Sequence, residues 1–298
     1  MKKTIRKKGK WIGYLLYCVL LTAALLYYRF PSESIAAYLE SVVAKANPQI
    51  LLSLESLRPG FPLSVELIDA GISLKKEPRK TLLRVKKLSL RTEVWAFLHG
   101  AHVYYFDAHA YDGNIKGDVR FETRALMASF TTAMKLKNLH IGRHPFLSPL
   151  IGRDVSGVLG GDIVYTGQYA NLIGGVGEAI FNISEGRVQL LQPILGLESL
   201  QFDRLSMKIT LKNKKVALSD VGLEGRAVRG QLSGTIILNN DIPASRLDLR
   251  GTIEPLGGLF GNLKGDSNPL KFLRKSLKSL KRSFVIRGTF EKPEFKFI

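Results

Sequence analysis

Eighteen consecutive residues without a charge, Trp11 to Tyr28, follow six basic ones (Lys2, Lys3, Arg6, Lys7, Lys8 and Lys10). As a helix this run is roughly 27 Å long, close to the hydrocarbon thickness of a bilayer. Trp11, Tyr14, Tyr17, Tyr27 and Tyr28 lie at or near its ends, where amphipathic rings favour the membrane–water interface. Arg29 comes next, and then the acidic Glu33 and Glu40. The excess of positive charge before the run predicts a cytoplasmic N-terminus and a bulk that lies outside the inner membrane. A cleaved signal peptide is the alternative. The run is longer than a signal core, and Tyr27-Tyr28-Arg29-Phe30 is a poor small-x-small cleavage site. The expectation is therefore a basic head at 1–10, a transmembrane anchor at 11–29 and an external domain at 30–298.

Charge narrows the partners. The net charge is +19, and much of it sits in two places. One is the head; the other is 264–282, where seven basic residues stand against Asp266 alone. An external, anchored domain meets no nucleic acid, so anionic phospholipid headgroups are the simpler partner for such clusters. Asn268, Pro269 and the stripe Leu270, Leu273, Leu277 and Leu280 predict a basic amphipathic helix over 269–282. Its Lys271, Arg274, Lys275, Lys278, Lys281 and Arg282 are the candidate contacts to anionic lipid. Packing of the leucines on a sheet is the plainer alternative.

A first short helix is expected after Phe30-Pro31, with Ile35, Leu39, Val42 and Val43 at helical spacing and Asn47-Pro48 as its stop. The plain reading is packing on the end of a sheet; lying on the membrane surface is the other. From about residue 50 the texture is β, with apolar alternation in Val65–Leu67, Val85–Leu90, Val103–Ala110 and Ile115–Phe121. The pattern continues through Met134–Leu139, Met207–Leu211, Leu232–Leu238, Leu247–Leu249 and Phe284–Phe290. Turn residues separate these runs at Asp112-Gly113-Asn114, Ser184-Glu185-Gly186 and Asn239-Asn240-Asp241. Connections this short favour antiparallel neighbours. The expected class is mainly β: one N-terminal transmembrane helix, a long curved antiparallel sheet with one apolar, groove-forming face, and a few short helices. A helical turn at 94–100 and a loop at 142–154 are expected interruptions.

Chemistry is sparse. Cys18 lies within the apolar run, which leaves the external part without a thiol, a disulfide or a cysteine metal site. His99, His102, His109, His140 and His144 have no carboxylate at ligand spacing, and read as structural. The clusters Gly157–Gly161 and Gly174–Gly177 match neither a dinucleotide fingerprint nor a P-loop, and no Gly-x-Ser-x-Gly elbow occurs. Asp107, Asp112, Asp118, Asp154 and Asp162 read mainly as solvated residues near strand ends. No catalytic constellation, cofactor site or metal site is expected, and the chain does not read as an enzyme.

Several segments taken in order resemble the type II secretion system protein N family. They are the N-terminal span with its Phe30-Pro31 helix, Val155-Ser156-Gly157-Val158-Leu159-Gly160-Gly161-Asp162, and Gly177-Glu178-Ala179 leading to Gly186-Arg187-Val188. The most distinctive runs from Leu232-Ser233-Gly234-Thr235-Ile236 to Ser245-Arg246-Leu247-Asp248-Leu249. Arg287-Gly288-Thr289-Phe290 with Lys292-Pro293 resembles the family's close. The resemblance implies a non-enzymatic, single-pass inner-membrane protein with a periplasmic domain, working with other secretion subunits. The same pattern also resembles AsmA-like envelope proteins, which implies an apolar groove and a role in phospholipid handling. An uncharged, continuous face would favour the lipid role.

Overall fold

The computed structural model describes residues 3–46, 50–60, 64–75, 77–93, 102–122, 129–142, 155–168, 171–194, 197–256 and 281–298. Two helices come first, α1 (Lys3–Tyr28) and α2 (Ser32–Ala46), joined by a turn at Arg29, whose N–H bonds to the Leu25 carbonyl at 2.9 Å. Then come β1 (Ile50–Gly60), β2 (Ser64–Leu74), β3 (Glu77–Thr92), β4 (His102–Ala110) and β5 (Gly113–Phe121). The middle of the chain forms β6 (Ser129–Ile141), β7 (Val155–Gln168), β8 (Asn171–Ile194), β9 (Leu197–Lys212) and β10 (Lys215–Glu224). The last strands are β11 (Val228–Ile237), β12 (Arg246–Pro255), β13 (Arg282–Thr289) and β14 (Pro293–Phe297).

All fourteen strands belong to one sheet whose spatial order is the order of the chain, every neighbour antiparallel. This is the meander that short connections predict. Two-residue turns close some hairpins tightly. Tyr111-Asp112 between β4 and β5, and Asn213-Lys214 between β9 and β10, all have φ between 49° and 63°, as a right-handed strand twist requires of such turns. The turn expected at Asp112-Gly113-Asn114 is thus centred one residue earlier.

Ser184-Glu185-Gly186 is not a turn. β8 runs straight through it, and Glu185, at φ 51°, marks a bulge. Ser156 pairs with Arg187 while Val158 pairs with Ser184, so β8 carries one extra residue against β7 there. Local residue preference cannot separate a bulge from a turn, because both call for the same αL-tolerant residues.

The substantial contacts among the described elements are those between successive strands and that of α2 with β1. The described sheet is therefore a single layer, and its buried cores are local. Phe30, Ile35 and Leu39 cover a cluster of Leu57, Leu67, Ala70, Val85, Ala108 and Ala110. This is the plain packing role expected of α2. Ile236, Leu247 and Leu249 form a second cluster near the other end, flanked by Val216, Leu218 and Ile286.

α1 is different. Its described side chains between Trp11 and Tyr28 are exposed, Leu15 at 69% and Leu20 at 61%, with the interface aromatics Trp11, Tyr14, Tyr17, Tyr27 and Tyr28 exposed beside them. Among the described residues no helix is long and apolar enough to cross a membrane. The uncharged run also contains Ile12, Val19, Ala23 and Leu26, whose side chains lie outside that description.

Residues 269–280, with Lys271, Arg274, Lys275 and Lys278, lie outside the described residues, as do 94–100 and 143–154. The expected basic helix does not reach 282: Arg282 opens β13 and pairs with Ile253 of β12. Strand pairing wins there because the alternating run Phe284–Phe290 needs a partner from its first residue. Lys281 and Arg282 are exposed.

Candidate functional site: an uncharged face of the sheet

Residues paired across antiparallel strands share a face, so a register can be followed from one edge of the sheet to the other. One such ladder starts Pro59, Val65, Leu90, Phe106, Gly117. It continues through Met134, Ile163, Ala179 and Ile209. It ends Leu218, Gly234, Leu249, Ile286, Phe295. It crosses all fourteen strands without one polar side chain.

Two residues along each strand runs a parallel ladder of Leu57, Leu67, Leu88, Ala108, Ile115, Leu136, Gly161, Phe181 and Met207. Beyond the bulge in β10 the same ladder resumes with Val221, Leu232, Gly251, Phe284 and Phe297. At about 4.8 Å per strand the two ladders run roughly 60 Å along the sheet and roughly 10 Å across it. That length is about twice the hydrocarbon core of a bilayer.

Three hydroxyls on this face are turned to the backbone. Thr132 Oγ1, in a side chain 6% exposed, donates to the Asp118 carbonyl at 2.8 Å. Thr92 Oγ1 donates to the Val103 carbonyl at 2.9 Å, and Tyr165 Oη to the Leu172 carbonyl at 2.6 Å. Glycines in the ladders take neighbouring rings. A Cβ on Gly117 would strike the Phe106 ring, and one on Gly251 the Phe284 ring. A hollow of about 560 Å³ near β10–β13 is not part of this face alone, since Asp220, Gln231, Arg250 and Ser283 line it beside Leu232 and Phe284.

The opposite face carries the charge. Asp107, Asp118 and Asp162 stand within strands, not at solvated ends as their spacing suggested. Lys116 meets Asp107 at 2.7 Å, Lys135 meets Asp162 at 3.3 Å, Lys208 meets Glu178 at 2.6 Å, and Arg120 meets Asp118 at 2.8 Å. Burial pushes the Asp107 carboxyl up, but hydrogen bonds from Lys116 and Asn114 and the Lys116 and His109 charges outweigh it and leave the pKa lowered. A hydrogen bond to Glu178 raises the Lys208 pKa. The three lysine pairs join neighbouring strands on the wet side, and Arg120–Asp118 lies within β5. Alternation gave the facing of each residue but not its partner across the strand, which is why the sequence missed them.

The histidines do not converge. His109 lies 3.9 Å from Asp107, within the charged network. His102 stands at the far end of the same strand, β4, His140 is on β6, and His99 and His144 lie outside the described residues. Among the described residues no group of three His, Cys, Asp or Glu is placed to hold a metal ion.

Fold and face together define a class: an open, single-layer antiparallel meander with an uncharged band across one face and ion pairs on the other. No family model, curated protein or solved structure matches the chain.

Proposed function

We propose that this protein is a non-enzymatic, inner-membrane-anchored component of the type II secretion apparatus, whose external sheet takes an apolar partner on its uncharged face. The residue resemblance supports the setting. The segments that carry it fall on paired strands: Val155–Asp162 on β7 lies against β8, and Leu232–Ile236 on β11 lies against β12. The anchor is α1. Its exposed leucines and end-placed rings are unfavourable in water, and the four further apolar residues of the run add to its hydropathy. The N-terminus is then cytoplasmic and the sheet periplasmic.

The observation that carries the working surface is the fourteen-strand ladder without a polar side chain. Its chemistry is that of an acyl chain, so phospholipid is the apolar partner it fits best. The same observation favours a second reading, an AsmA-like phospholipid-handling protein that works apart from secretion. Native purification of the full chain, with mass analysis of bound lipids and co-purifying proteins, tests both. Phospholipid together with secretion subunits supports the first reading, and phospholipid alone supports the second. Secretion subunits without lipid would leave a scaffold and remove the lipid role from the face.

A further inference from the structure

β14 is the outermost strand of the described sheet, and its outer edge has no neighbouring strand there. The hydrogen bonds at both ends of the β13–β14 hairpin fix which groups face outward. Ile298 N–H bonds to the Ser283 carbonyl at 2.9 Å, and Thr289 N–H to the Lys292 carbonyl at 3.2 Å. With Phe295 opposite Ile286, alternation turns Glu294 and Lys296 inward to β13. The backbone groups of Phe295 and Phe297, and the carbonyl of Pro293, therefore point away from the sheet. Among the described residues β14 pairs with β13 alone, so no strand meets these outward groups.

The side chains match this arrangement. Phe295 is 49% exposed and Phe297 43%, on the apolar face, with Phe295 stacked on Phe284 at 5.1 Å between centroids. Glu294 and Lys296 flank Phe295 on the charged face, and neither has an ion-pair partner among the described residues.

We propose that two copies of this protein associate through antiparallel pairing of β14 with β14, about a two-fold axis through Phe295. In that register Phe295 faces Phe295 of the second copy. Glu294 of each copy stands opposite Lys296 of the other, so both free charges are neutralised at once. The Phe295 pair exchanges two hydrogen bonds, and each Phe297 N–H meets the other copy's Pro293 carbonyl, roughly four bonds in all. The axis is perpendicular to the sheet, so the two apolar faces join on one side.

Pro293 has no N–H to give, which stops the pairing from running further and disfavours shifted registers. A two-fold contact of this kind closes on itself. Head-to-tail growth onto β1 is opposed by α2, which packs along β1.

The test is the mass of the full chain in detergent micelles, by sedimentation at micromolar concentration. The wild type is expected to be a dimer. Glu294→Lys and Lys296→Glu each place like charges opposite one another, and each raises the dimer dissociation constant roughly 10-fold or more. The double variant E294K/K296E restores complementarity and returns to within about 3-fold of wild type. Both side chains are exposed, and circular dichroism identical to wild type confirms that the fold is kept. A monomeric wild type, single variants that dimerise as well as wild type, or a double variant as weak as the singles overturns the proposal. Bound lipid is read separately and does not enter this result.

Discussion

Gly186→Ala isolates one contact in the bulged centre of the sheet. Gly186 pairs with Phe202 of β9, and a Cβ added there would meet three ring carbons of Phe202 as its nearest neighbours. Its φ lies outside the left-handed region, so alanine is free of backbone strain. The ring cannot retreat easily, since Phe202 is only 4% exposed. Overpacking of this sort costs about 1–3 kcal/mol. The alternative, expelling the ring, forfeits about 1.5–3 kcal/mol of burial. Both routes give about 2 kcal/mol, or a fall in Tm of about 4–8 °C for a chain of this size. Gly160→Ala is the internal control: its nearest neighbour would be the Leu136 carbonyl at 3.6 Å, an ordinary contact. It should cost less than about 0.5 kcal/mol. Shortening the ring in Gly186→Ala/Phe202→Leu should make the two changes markedly non-additive. Urea unfolding of the full chain in detergent measures all three. If Gly186→Ala and Gly160→Ala unfold together, the ring does not confine Gly186 and the reasoning fails.

Three further outcomes follow from the two faces. Ile209→Lys sets an ammonium group in the middle of the uncharged ladder, between Ala179 and Leu218. Co-purifying phospholipid should fall at least about 10-fold, because an unpaired charge is costly to bury against acyl chains; undiminished lipid would place binding elsewhere. Asp107 has a lowered pKa in the fold, so its contribution is present above the unfolded value near 4 and is lost as pH falls through the folded one. Asp107→Asn should flatten the acid limb of a stability–pH curve, and an unchanged slope would count against the Lys116 and Asn114 contacts. Burial pushes Tyr111 up to about 12, with a small opposing hydrogen bond at Arg84. The neutral phenol is therefore the form the fold keeps, and its contribution is lost as pH rises from about 10 toward 12. Tyrosinate absorbance should show a late-ionising group that Tyr111→Phe removes.

Much of the architecture is legible in the chain without a structure. Period-two alternation with brief connections dictates an antiparallel meander, and α2 was readable from Ile35 and Leu39 at helical spacing. Local signals failed where two structures use the same residues. Ser184-Glu185-Gly186 suits a turn and a bulge equally, and only the partner strand β7 selects the bulge. The end of the basic segment was misplaced for a related reason. Arg282 is a good helix terminus by charge, but Ile253 of β12 claims it as a strand residue.

Alternation alone determined that each strand would have an apolar side, because the side chains of an extended chain must point to opposite faces. What it could not determine is whether those sides align. That depends on register, which long-range pairing sets, and a slip of one residue in any strand would have put its ladder members on the charged face. The tertiary structure made the alignment. It joined separate apolar residues into a band crossing all fourteen strands, matched Asp107 and Asp162 to lysines on the other side, and left the backbone of Phe295 and Phe297 facing outward.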